Sequence, residues 1–363
     1  MIYHHGGNIY KAASDMGVFI QKILDFSASI NPLGMPESAV RAYKYAQAMI
    51  PNYPDPDCTQ LADAVSGHYG IDDKMLVFGN GSTELIYLTV RTIKPKRVLI
   101  PNPTFNEYER AVRLYGFQHP EHIPDNYFNF MMLDAGDGFV MDIDEFISNM
   151  TGCDMAFICN PNNPTGRVIK KNEMLRITEA ARTAGCLLIV DEAFIDYCPE
   201  HSVMNEVASN PFVAVLRSLT KYYAMAGLRL GFGVYSEQLI KNIKACKEPW
   251  TVNSVAQACG AAALTDSGYR KATKEALKRQ RAVLEDGFNW LEIKYIPSDA
   301  NYYLVKMFDA RRAAYELRKK GILVRTCGDF RGLDSSYIRI AVKSAKDNLR
   351  LVEELSVICG TWS

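Results

Sequence analysis

The chemistry this sequence can do begins with a lysine that has hydroxyls before it and an arginine after it. In the stretch Ser218-Leu-Thr-Lys221-Tyr-Tyr-Ala-Met-Ala-Gly-Leu-Arg229-Leu-Gly231, the lysine follows an apolar run, Phe212 to Leu216, that reads as a buried strand. A lysine walled by apolar neighbours loses its charge readily and attacks a carbonyl as an amine. Ser218, Thr220 and Arg229 could hold a phosphate beside it. Taken alone, Lys221 reads as a surface residue in a strand-to-helix loop; the rest of the chain reverses that reading. The combination suits a Schiff base with pyridoxal phosphate, whose chemistry also needs an acid at the ring nitrogen.

Asp191 supplies such an acid. It closes the apolar run Cys186 to Val190, where a carboxylate is costly to bury without a cationic partner. A pyridinium N–H is such a partner. Asn163 lies in the tight loop Asn160-Pro-Asn-Asn163-Pro164-Thr165-Gly166, where an amide can donate to a ring hydroxyl. The turn Gly79-Asn-Gly81-Ser82-Thr83 feeds a helix from Leu85 to Thr92, leaving backbone N–H groups for a phosphate. Phe105, after the strand Arg97 to Ile100, is either a ring that stacks on a planar cofactor or a core residue. The Asp25-to-Gly34 stretch breaks at Asn31-Pro32, and is either a ligand contact or a plain turn.

The elements that must position these residues follow a simple order. From Val77 to Val215 the pattern is strand, polar loop, helix, repeated, which predicts an α/β fold with a mainly parallel sheet. The loops then gather at the sheet's carboxyl edge, bringing residues 81–83, 105, 163, 191 and 221 together. Beyond Gly233 the pattern predicts helices over 239–247, 255–265 and 269–291, strands over 302–305, 322–325 and 337–341, and a helix over 310–319. This is a smaller α+β domain. The expected division is a large domain over 41–244 and a small domain over 1–40 and 245–363, with an N-terminal arm. Arg325 and Arg339 fall within strands, where a charge needs an anionic partner; Lys306, Arg331 and Lys343 read as solvated.

Composition narrows the partners. The 363 residues carry 41 Lys+Arg and 41 Asp+Glu, so no net field favours nucleic acid or an anionic membrane. Hydrophobic residues at 48% and charged residues at 23% fit an ordinary soluble globular protein. The nine cysteines form no CxxC pair, which implies free thiols in a reducing compartment, and no metal site is expected. No apolar run reaches the roughly 20 residues of a membrane span, and no signal peptide is expected. A cytoplasmic enzyme is the expectation.

Asn-Pro-Thr-Gly at 163–166, Asp-Glu-Ala-Phe at 191–194, and Ser-Leu-Thr-Lys with Gly-Leu-Arg-Leu-Gly over 218–231 resemble the fold-type I pyridoxal-phosphate enzymes of the aspartate aminotransferase superfamily. The spacings agree, with 28 residues from Asn163 to Asp191 and 30 from Asp191 to Lys221. Within it the chain resembles the histidinol-phosphate aminotransferase group, and more closely its cobalamin-pathway branch, the threonine-phosphate decarboxylases. His5-Gly-Gly-Asn8, Asp25 to Gly34, Leu216 to Lys221 and Gly332 to Arg339 carry the closer likeness.

The resemblance implies a role for each residue. Lys221 carries the cofactor and moves protons, Asp191 keeps the ring nitrogen protonated, Asn163 binds the ring hydroxyl and Phe105 stacks on the ring. Gly81, Ser82, Thr83, Ser218, Thr220 and Arg229 bind the cofactor phosphate, with Tyr53 reaching it from the other subunit of a homodimer. Arg339 binds the substrate carboxylate; Arg325 and His5 bind the substrate phosphate. Two departures bear on the reaction. Phe194 stands where the aminotransferases usually have tyrosine, which favours decarboxylation of a phosphorylated amino acid over transamination. Ser29 stands where the branch reads asparagine, which opens O-phospho-L-serine as a substrate beside O-phospho-L-threonine. Transamination of histidinol phosphate is the remaining enzymatic alternative.

Overall fold

The computed structural model describes residues 6–115 and 127–360, so His5 lies outside the described residues. Its main sheet has seven strands: β2 (Leu76–Asn80), β3 (Val98–Asn102), β4 (Phe128–Met132), β5 (Met155–Cys159), β6 (Leu187–Asp191), β7 (Val213–Ser218) and β8 (Leu230–Val234), in the order β2-β8-β7-β6-β5-β3-β4. β8 runs antiparallel to β2 and β7, and the remaining pairs are parallel. The mainly parallel α/β sheet expected from the repeated pattern is therefore present.

The central strands are mainly apolar because both faces are covered. Successive side chains point to opposite faces. Ala156, Ile158, Leu188, Val190, Val213 and Val215 enter one core, while their neighbours Met155, Phe157, Leu187, Ile189, Ala214 and Leu216 enter the other. Register places Cys159 opposite Asp191 and Asp191 opposite Leu216. The loops after β5, β6 and β7 thus leave the sheet at nearly one level.

A second sheet is built from β9 (Lys294–Tyr295), β10 (Tyr302–Lys306), β12 (Arg325–Thr326) and β13 (Tyr337–Ala341), in the order β12-β13-β10-β9 and antiparallel. The helix Ser267–Trp290 and the closing helix Ala345–Gly360 cover it through Leu284, Phe288, Leu351 and Leu355. The long helix starts where Asp266 accepts the Tyr269 N–H at 2.9 Å, an N-cap bond. The helix Ser254–Leu264 packs on the helices Glu37–Ala46 and Thr59–Tyr69, within the core of the seven-stranded sheet, although it follows the boundary expected at 244/245.

Three local expectations need correction. The strand expected over 322–325 is two pieces. Ile322–Leu323 (β11) pairs in parallel with Leu24–Asp25 (β1), whereas Arg325–Thr326 joins the four-stranded sheet. Lys343 is half-buried, with Nζ donating to the Ala28 carbonyl at 3.2 Å, and desolvation holds its ammonium below the usual lysine range. Arg331 is paired with Glu109 at 3.0 Å and stands 4.0 Å over the Phe130 ring. Among the described residues no helix is long and apolar enough to cross a membrane.

Candidate active site

A cavity of about 180 Å3 opens at the carboxyl edge of β5, β6 and β7. Of the residues picked out by sequence, Ser29, Ser82, Thr83, Phe105, Asn163, Asp191, Lys221, Arg325 and Arg339 line it. The sheet edge thus gathers residues spread over more than 300 positions.

Lys221 sits in the one-turn helix Leu219–Tyr222, directly after β7. Its Nζ donates to Thr220 Oγ1 at 2.9 Å and lies 5.9 Å from the Phe194 ring. Desolvation lowers its pKa to about 8, helped by the positive field of Arg229 and opposed by Asp191. A larger fraction of molecules then holds a neutral amine at pH 7 than for a free lysine. Asp191 is 2% exposed. The Tyr108 hydroxyl donates to its Oδ2 at 2.7 Å and the Ala193 N–H to its Oδ1 at 3.1 Å. Burial raises its pKa despite these bonds. A buried carboxylate of this kind is stabilised by a cationic N–H partner.

The anion cradle has three sides. The helix Ser82–Ile93 begins at Gly81, whose φ of 80° is the left-handed region, and no side chain caps it. Its first N–H groups are therefore not claimed by a cap. A Cβ on Gly81 would run into the Arg229 guanidinium, and one on Gly231 into the Ser82 backbone nitrogen. Both glycines allow this close approach. Ser218 Oγ and Thr220 Oγ1 share a hydrogen bond of 2.7 Å on the third side. Arg229 itself is exposed at φ 58°, with Nη1 donating to the Ala226 carbonyl at 3.2 Å. Hydroxyls, N–H groups and a guanidinium suit a phosphate.

Across the cavity, Arg339 projects from β13 and is 8% exposed. Its Nη2 donates to the Ser27 carbonyl at 2.9 Å and its Nη1 to Asn163 Oδ1, while Nε has no partner. Among the described residues no carboxylate lies within ion-pair distance of it, a costly state for a buried cation. With its oxygen engaged, Asn163 presents its amide nitrogen as a donor. Arg325 is held by Asp329 at 2.7 Å and stacks 5.1 Å from the Phe330 ring. Ser29 is 3% exposed and its Oγ is buried without a partner. Phe105 is half-buried and meets Tyr108 edge-on at 5.7 Å.

Tyr53 does not line this cavity. It is 81% exposed and stacks on Trp250 at 4.8 Å. Tyr108 was missed as a site residue; the signal was its place in the first turn of the helix Glu107–Tyr115, just after Phe105, whose ring it meets edge-on. Asn106 and Phe330 also line the cavity, and no sequence pattern marks them, whereas Ser27 belongs to the Asp25-to-Gly34 stretch read as a ligand contact or a turn.

The residues fit pyridoxal phosphate. A partly neutral lysine, a buried carboxylate with a raised pKa, an uncapped helix start beside an arginine, and two unpartnered buried donors answer to its aldehyde, ring nitrogen, phosphate and bound substrate.

Comparison with known proteins agrees. The sequence model described as "Aminotransferase class I and II" matches residues 21–355. The chain is 36% identical to the threonine-phosphate decarboxylase of Salmonella typhimurium over 98% of this chain and 97% of that one. It is 29% identical to the histidinol-phosphate aminotransferase of Moorella thermoacetica over 98% of this chain and 90% of that one. The solved histidinol-phosphate aminotransferase of Clostridium acetobutylicum superposes with a TM-score of 0.86 at 28% identity, covering 93% of this chain and all of that one. With a likeness that runs the length of the chain and a cavity that suits the cofactor, the protein belongs to the class I and II aminotransferase family of pyridoxal-phosphate-dependent enzymes.

Proposed function

We propose that the chain decarboxylates O-phospho-L-threonine to (R)-1-amino-2-propanol O-phosphate for the cobalamin nucleotide loop, acting in the cytoplasm as a homodimer. The observation that carries this reading is the 36% identity to the Salmonella decarboxylase, against 29% for the Moorella aminotransferase. Phe194, close to Lys221 Nζ, supports it as the departure from the aminotransferase pattern.

Pyridoxal phosphate, when bound, supplies an electron-withdrawing ring conjugated to the substrate's α-carbon. Ser82, Thr83, Ser218, Thr220 and Arg229 hold its phosphate, with Tyr53 contributed by a second copy of the chain. Asp191 holds a proton at the ring nitrogen, Asn163 donates to the ring hydroxyl and Phe105 covers a ring face. Arg339 takes the substrate carboxylate in its fork. Arg325 and His5 take the substrate phosphate. Two anchors on one small molecule would fix its rotation about the α-carbon, and the bound cofactor would supply the electron sink for the bond so presented. With its carboxylate presented by Arg339 the substrate would lose CO2, and Lys221 Nζ would hold the proton for the α-carbon.

Ser29 favours a second reading. Its unpartnered Oγ faces the cavity where the branch carries an asparagine, so O-phospho-L-serine is the alternative substrate. Product analysis of cofactor-loaded enzyme with each phosphoamino acid tests both. Aminopropanol phosphate from the first supports the main reading. Ethanolamine phosphate formed faster from the second, with the preference reversed by Ser29→Asn, supports the alternative. No amine from either, with glutamate formed from 2-oxoglutarate once histidinol phosphate is supplied, would move the enzyme to transamination.

A further inference from the structure

A second cavity, about 740 Å3, lies behind the active site and shares its strand end. Ser218 and Arg217 are neighbours on β7 and so point to opposite faces. Ser218 meets Thr220 on the cofactor side, whereas Arg217 forms the floor of the rear cavity. Its volume is that of a ligand pocket, which typically spans about 300–1,000 Å3.

The floor has donors to spare. Arg217 is 2% exposed and pairs with Glu192 at 2.9 Å and Asp196 at 3.0 Å, yet its Nε has no partner. The Tyr197 hydroxyl beside it is also buried without a partner. Burial pushes that phenol well above its ordinary range, so it remains a neutral donor. An orphaned buried donor is costly and calls for an acceptor.

The walls and rim say what kind. Tyr69, Tyr222 and Leu277 give aromatic and apolar surface. Lys171, Arg270, Lys271 and Lys274 surround the opening, three of them on one face of the long helix. Among the described residues none of these four has a carboxylate within 4 Å; Arg270 donates to the Leu264 carbonyl at 2.8 Å. Of the acids lining the cavity, Asp196 is engaged by Arg217, and Glu200 stands 4.0 Å from His201. The excess positive charge attracts anions.

We propose that this rear cavity binds an organic polyanion carrying an aromatic ring, the chemistry of a nucleoside di- or triphosphate. The ring lies among the tyrosines and the phosphates meet the lysines of the long helix.

Calorimetric titration of the cofactor-loaded enzyme with ATP, ADP and inorganic tripolyphosphate tests it. ATP is expected to bind once per chain. The double variant Lys271→Glu, Lys274→Glu should weaken that binding about tenfold or more, since two exposed charges are reversed. Both residues are exposed, so basal activity and thermal midpoint should stay unchanged. Tyr197→Phe, which removes only a hydroxyl, should weaken ATP binding by a smaller factor. Absence of any ATP heat, or ATP affinity equal in wild type and the double variant, overturns the proposal. Tripolyphosphate binding as tightly as ATP overturns its aromatic part.

Discussion

Lys221 and Asp191 are held in uncomfortable states by burial, and each gives a prediction. The amine of Lys221 has a pKa near 8 when folded and about 10.5 when unfolded. Between these values the unfolded chain holds more protons, so stability of the cofactor-free protein rises with pH from about 8 to 10.5. Urea unfolding across that window should show the rise in wild type and lose it in Lys221→Met. The same variant should be the more stable of the two at pH 7, by about 1–3 kcal/mol, and should have no activity. Asp191 depends on Tyr108 for one of its two hydrogen bonds. Tyr108→Phe should cost about 1–3 kcal/mol in the same unfolding assay. Asp191→Asn should lower kcat by about two orders of magnitude in the product assay, because a buried charge is no longer set against the ring nitrogen.

At the scale of elements, the arrangement of β7 and β8 decides the cradle. Gly231 of β8 lies against the Ser82 backbone nitrogen and the Arg217 carbonyl, with no room for a Cβ. Gly231→Ala should push the start of the Ser82–Ile93 helix away, weakening cofactor retention about tenfold in equilibrium dialysis and costing about 1–3 kcal/mol of stability. The sequence reading assigns no strand to Leu230–Val234, because its two glycines look like loop punctuation. They are there for contact, since Gly233 faces the Tyr235 ring as closely as Gly231 faces Ser82. β5, β6 and β7 are legible because each carries an apolar run of at least four residues, the mark of a strand buried on both faces. β4 is an edge strand with half-buried Phe128, Asn129 and Phe130, and it lacks that mark. Ser82, Phe105, Asn163, Asp191 and Lys221, the proposed cofactor residues, are legible because each ends or closely follows a readable strand, whereas Arg229 precedes β8. The Asn163 contact with Arg339 joins positions 176 apart, and only tertiary folding reveals it.

For the whole molecule, the exposed Tyr53 poses a question of assembly. It stacks on Trp250 amid exposed Tyr45, Met49 and Ile50, outside the cavity of its own chain. If Tyr53 serves a partner's site, then inactive Tyr53→Ala and Lys221→Ala proteins should complement on mixing and reassociation. Half of the dimers are then hybrids with one intact site, restoring roughly a quarter of wild-type activity. No recovery on mixing would place Tyr53 outside the site. The parallel pairing of β1 with β11 has a consequence of another kind. Leu24 finds its partner Ile322 roughly 300 residues later, and Ser27 to Ile30, which line the cavity, follow directly from β1. On the ribosome this segment emerges long before the partner it pairs with. A nascent chain stalled before β11 can fold its main sheet, yet the Ser27-to-Ile30 wall of its cavity is then tied on that side through Asn31 and the Lys221 and Tyr222 carbonyls, without β1's pairing. Synthesis of β11 is therefore the event that completes the wall of the site.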